Sequence, residues 1–133
     1  METRSQRYAK SAYPKVKQRE HDHHAKKYGA LALNFPVMVL QSGLVQSTGF
    51  LLAKGKDEHT DFLNDLADVL VESGTLILNA QEGRQGEALH HHIVTSDLPT
   101  YQHLTRCALE TASWFKRYAQ AILKAESTDG GRE

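Results

Sequence analysis

The sequence predicts an all-α fold: a compact bundle of about six helices in a single domain. Apolar residues recur at spacings of three and four along most of the chain, which places them on one face of successive helices. Pro36, Gly43, Gly55, Gly74, Gly83 and Gly86 punctuate that pattern where helices would end. Only residues 75–78 have strand propensity, and a lone strand has no partner for its backbone groups.

The elements follow in order. The first helix is expected over about 3–19, with Ala9, Ala12, Tyr13 and Val16 on one face. Arg4, Arg7, Lys10 and Lys17 lie opposite, beside Pro14, which either kinks the helix or marks its true start. The second, over 22–34, carries Tyr28, Leu31, Ala32 and Phe35 as its stripe. Pro36 interrupts it and suits the first turn of a short third helix over 37–41, closed by Gly43. The fourth, 44–54, turns Leu44, Val45, Thr48, Leu51 and Leu52 inward, and Gly55 supplies a left-handed terminator. The fifth, 57–72, opens with Asp57, Glu58 and Asp61 at the positive end of its dipole. It buries Phe62, Leu63, Leu66, Val69 and Leu70.

After a candidate strand at 75–78 and a loop at 80–86, residues 88–94 make one or two helical turns. The last helix is capped by Ser96 and tolerates Pro99 in its first turn. It aligns Tyr101, Leu104, Ala108, Thr111, Phe115, Tyr118 and Ile122 and ends near Lys124. Residues 1–126 form the helical domain, and 127–133 read as a disordered tail.

At 133 residues the chain can bury a core of its own. Its 40% apolar and 24% charged content is that of an ordinary globular protein. The longest apolar runs, such as the one from Val37 to Leu40, are too short to cross a membrane. The N-terminus has no secretory apolar segment, and Cys107 stands alone, so no internal disulfide can form. The expectation is a cytoplasmic protein with no membrane partner.

Zero net charge hides an asymmetry. Residues 1–28 hold eight Lys and Arg against three acids, and the remainder carries the compensating acidic excess. A basic arm on an acidic body suits an anionic partner, the docking of one copy onto another, or a merely solvated face.

Three stretches, read together, resemble a known family. One is Arg4-Ser5-Gln6-Arg7-Tyr8-Ala9. Another runs from Tyr28-Gly29-Ala30 through Phe35-Pro36 to Gly43-Leu44, Gln46 and Phe50-Leu51. The third is Trp114, Arg117 and Ala119 near the end of the last helix. The chain is similar to the small, all-helical subunit of the type III-B (Cmr) CRISPR effector complex. The resemblance implies a non-catalytic bundle whose copies stack as a minor filament. It implies backbone and large subunits as partners, and a basic face that helps hold guide RNA and target RNA. It implies antiviral defence as the setting, and no cofactor.

Lys and Arg on one face can follow a row of phosphates without reading bases. The candidate RNA-backbone residues are Arg4, Arg7, Lys10, Lys17, Lys26, Lys27, Lys54 and Lys56. No catalytic or metal-binding residue is assigned. The eight histidines include His21 and His24 on one helical face and the adjacent His90, His91 and His92, yet no carboxylate completes either set at a familiar spacing. The alternative is a small helical ribonuclease with an Arg and a His four to six residues apart, as in Arg19/His24 or Arg84/His90. There the Arg would hold the phosphate while the His moved a proton. A helical adaptor that binds proteins only is a third class.

Overall fold

A computed structural model describes residues 1–126, and among them the backbone forms six helices and no strand. These are α1 (Arg4–Gln18), α2 (Ala25–Ser42), α3 (Leu44–Lys54), α4 (Asp57–Glu72), α5 (Gln85–Val94) and α6 (Leu98–Ile122). The expected tail at 127–133 lies outside the described residues.

α4 is the hub and packs against all five other helices, while α6 lies along α1 and α2. The sequence sets this arrangement through the inward stripe of α4, whose Phe62, Leu63, Leu66, Val69 and Leu70 are all buried. Phe62 sits at the centre. Its ring meets Tyr28 at 5.7 Å, Phe35 at 5.2 Å and Phe115 at 5.4 Å, mostly edge to face. One cluster therefore ties α2, α4 and α6 together.

The structure corrects several local expectations. The short helix over 37–41 does not exist separately, because α2 runs unbroken through Pro36. Proline cannot donate to the Ala32 carbonyl, a loss of ~3 kcal/mol in an isolated helix. Burial of Phe35 and Val39 on either side of it holds the axis in place. α1 likewise continues through Pro14, whose ring faces solvent. The α1 stripe is rotated from the expected one: Tyr8, Ala12 and Val16 are buried, whereas Tyr13 is half exposed against the edge of Tyr118.

Residues 75–78 do not pair as a strand. Leu76 is buried and Ile77 is 92% exposed, an alternation without a neighbouring strand. α5 begins at Gln85, within the expected loop, because the Asn64 side chain of α4 accepts from the Gly86 amide at 2.7 Å and anchors that turn. α6 is capped by Asp97, which accepts from the Thr100 amide at 3.0 Å. Ser96 instead donates to the Ile93 carbonyl and closes α5. No described helix is long and apolar enough to cross a membrane.

Candidate nucleic-acid interface

The basic N-terminal arm meets the acidic body of its own chain. Arg4 pairs with Glu110 of α6, and Lys15 with Glu72 of α4. Lys10 pairs with Glu2, and Lys17 with Glu20. Arg7 donates to the backbone carbonyls of Ser73 and Glu2. Of the eight candidate RNA contacts, the four on α1 thus already have intramolecular partners, although their side chains stay in contact with water. The charge excess of residues 1–28 is in good part an adhesive between α1 and the α4–α6 layer.

The other four differ. Lys26, Lys27, Lys54 and Lys56 are exposed, and none forms an ion pair among the described residues. The fold brings Lys27 and Lys56 to one corner, with Lys54 across the α3–α4 turn and Lys26 beside Lys27 in sequence. Lys26 and Lys27 lie in the first turn of α2, Lys54 ends α3, and Lys56 is the N-cap of α4. Gly55, in the left-handed region at φ 62°, makes the tight α3–α4 turn that sets Lys54 and Lys56 near each other. Lys27 and Lys56 share a surface cavity of about 320 Å³ with His23, His24, Asp57 and Glu58.

The N-termini of α2 and α4 both open toward this cavity, and neither has a side-chain cap. The positive end of α2 adds to the lysine charge, whereas at α4 the Glu58 carboxylate occupies its own amide. The bond to its own backbone amide holds the Glu58 carboxyl below its usual range against the effect of burial, with lesser help from His59, Lys27 and Lys56. Burial lowers the His59 imidazole below its ordinary value, and Lys54 and Lys56 push the same way against Glu58. The Lys54 ammonium lies 5.6 Å over the Phe50 ring, which is 41% exposed. The corner offers cations, the α2 amides and one aromatic face suited to a sugar–phosphate chain, beside the carboxylates of Asp57 and Glu58.

Arg19 and His24 meet on Asp61, whereas Arg84 and His90 are held by different partners. All three guanidinium nitrogens of Arg19 are engaged: Nε and Nη2 by Asp65, Nη1 by Asp22 and Asp61. His24 Nε2 lies 2.6 Å from Asp61. A phosphate approaching this guanidinium would meet three carboxylates. Arg84 pairs with Glu87 at the start of α5, whereas His90 Nδ1 bonds the Thr48 hydroxyl at 2.7 Å. Arg84 shares a cavity of about 690 Å³ with His91 and His92, and His90 is not among its walls. Asp61 and Asp65, 37 and more residues from the histidine and arginine they hold, were invisible to spacing rules.

Comparison with known proteins follows the same line. Residues 4–122 match the family described as CRISPR-associated protein Cas_Cmr5. The chain is 39% identical over 124 residues to the CRISPR system Cmr subunit Cmr5 of Thermus thermophilus, covering 93% of this chain and 99% of that relative. The crystal structure of a CRISPR-associated Cmr5 family protein from Thermus thermophilus superposes with a TM-score of 0.79 at 37% identity. That match covers 92% of this chain and 99% of the other.

Proposed function

The chain belongs to the CRISPR-associated Cmr5 family, and from that premise we propose that it is a non-catalytic structural subunit of a type III-B CRISPR ribonucleoprotein effector complex, holding RNA by its backbone. The observation that carries the RNA reading is the set of Lys26, Lys27, Lys54 and Lys56, four exposed cations without ion-pair partners among the described residues, three of them at the N-termini of α2 and α4. Contacts of this kind neutralise phosphates and leave sequence choice to the guide. Arg4, Arg7, Lys10 and Lys17 serve as secondary contacts. Each must exchange an internal partner for phosphate, and exposed pairs of this kind are worth only about 0–1 kcal/mol.

The same reading has copies of the chain stack beside the backbone and large subunits. Leu40, 73% exposed, and Leu98, 67% exposed, support a protein neighbour at that end of the bundle. The occupied donors of Arg19 and the separation of Arg84 from His90 support a role without catalysis.

The test uses the reconstituted complex. Reversing Lys26, Lys27, Lys54 and Lys56 to Glu should weaken target-RNA binding and flatten its salt dependence by about 0.7 log units per log unit of salt for each phosphate no longer neutralised. Reversing Arg4, Lys10 and Lys17 should have the smaller effect. Unchanged affinity and slope in the first variant would remove the corner from the RNA path.

A further inference from the structure

We propose that Asp22 and His24, backed by Asp61, form a binding site for a divalent transition-metal ion of the zinc type, clipping the α1–α2 turn to α4. One ligand atom from each of these residues lies within 4.8 Å of the others. The second observation is His24 itself. Its side chain is 92% buried, with only 8% of its surface exposed, and its Nδ1 has no hydrogen-bond partner. That nitrogen faces the Asp22 carboxylate, Oδ2 lying 3.8 Å away.

The geometry suits an ion better than a hydrogen bond. At 3.8 Å the two atoms are too far apart to bond directly. Two ligands about 2.1 Å from a tetrahedral zinc stand about 3.4 Å apart, so a small turn of the carboxylate closes the chelate. Asp61 already holds Nε2 at 2.6 Å. With Nε2–H donating to Asp61, Nδ1 is the nitrogen open to a metal, and a carboxylate stands behind the imidazole as metal-bound histidines ordinarily have. Water completes the coordination.

Charge balance argues the same way. Asp22, Asp61 and Asp65 converge here, and Arg19 is the one Lys or Arg that pairs with them among the described residues. That excess of carboxylates over their paired cation favours a divalent ion. A nitrogen with oxygen donors suits zinc or its neighbours rather than calcium or magnesium. The site lies next to the lysine corner, since His24 lines the same cavity as Lys27 and Lys56.

Thermal unfolding of the full chain with added zinc chloride, then with EDTA, tests this. Zinc should raise the unfolding midpoint of the wild type by a few degrees, reversibly. Asp22→Asn and His24→Gln should abolish the rise, and a triple variant with His90, His91 and His92 changed to Gln should keep it. If His24→Gln folds poorly, Asp22→Asn, altered at a part-exposed side chain, still decides. No response in the wild type overturns the proposal. So does a response that survives both single substitutions, which would move binding to His21 and His23, or one lost in the triple variant.

Discussion

Arg19 grips Asp65 through two parallel hydrogen bonds, Nε to Oδ2 at 3.1 Å and Nη2 to Oδ1 at 3.0 Å. The Tyr28 hydroxyl donates to the same carboxylate at 2.7 Å, and the guanidinium carbon lies 5.6 Å over the Tyr28 ring. Only 8% of the Asp65 side chain is exposed. Burial pushes its carboxyl above the usual range, and the Arg19 and Tyr28 bonds only partly oppose that. Arg19→Met should therefore cost about 3–5 kcal/mol at neutral pH by leaving a buried carboxylate short of its partner. A carboxyl raised in the folded state binds its proton more tightly there than in the unfolded chain, so its contribution falls as pH rises. The deficit of Arg19→Met should accordingly shrink as pH is lowered through the folded-state pKa of Asp65. Urea unfolding across pH measures it, and a deficit below about 1 kcal/mol at neutral pH would mean the pair is not structural.

Two glycines inside helices should respond in opposite senses. A Cβ on Gly86 would lie 2.6 Å from Leu63 Cγ and 2.9 Å from its Cδ2, where α5 crosses α4 closely. Gly86→Ala should lose about 1–3 kcal/mol from overpacking despite better helix propensity. A Cβ on Gly49 would meet only the His90 ring, its Cε1 at 3.4 Å. Gly49→Ala should gain about 0.5–1 kcal/mol from reduced backbone entropy in the unfolded chain. Denaturant midpoints of the two variants check both signs.

The contrast between these glycines shows what was legible from sequence. Periodicity located α4 and its buried stripe, because a strong amphipathic pattern is a local property. It could not show that Pro36 sits inside one helix, since the burial of Phe35 and Val39 that overrides proline is tertiary. The lysine corner was half legible. Lys26, Lys27, Lys54 and Lys56 could be named as cations, but their convergence depends on how α2, α3 and α4 meet. The pairing of the α1 cations was not legible, because Glu110 and Glu72 are distant in sequence from Arg4 and Lys15. A run of charge reads the same whether it faces solvent or the protein's own acids.

His59 should titrate below its ordinary value. Burial is the main cause, and Lys54 and Lys56 add to it while Glu58 opposes. A basic group whose pKa is lowered by folding withdraws stability as pH drops from its unfolded value, about 6.5, through the folded one. Replacing Lys54 and Lys56 together by Ala should move the His59 titration part of the way back up, as followed by NMR of the imidazole. RNA phosphates at this corner should raise it further, because a nearby anion favours the imidazolium. A His59 titration indifferent to both changes would place the lysines and the RNA away from it.

On the acid side, Glu72 should supply part of the loss of stability. Burial raises its carboxyl, but bonds from Lys15 and Ser11 outweigh burial and bring it below the usual range. A carboxyl lowered by folding contributes above its unfolded pKa and loses that contribution as pH falls through the folded one. With 54% of the Glu72 side chain exposed, solvent screening limits the effect to about 1 kcal/mol at most. Glu72→Gln should thus lower neutral-pH stability by up to about 1 kcal/mol and flatten the acid limb by the same amount, the deficit vanishing at low pH. Lys15→Met should do more, because only 13% of the Lys15 side chain is exposed and its ammonium also opposes the burial-driven rise of the Asp68 carboxyl. If the two variants lost equal stability at neutral pH, the ammonium would matter only through Glu72 and not through Asp68.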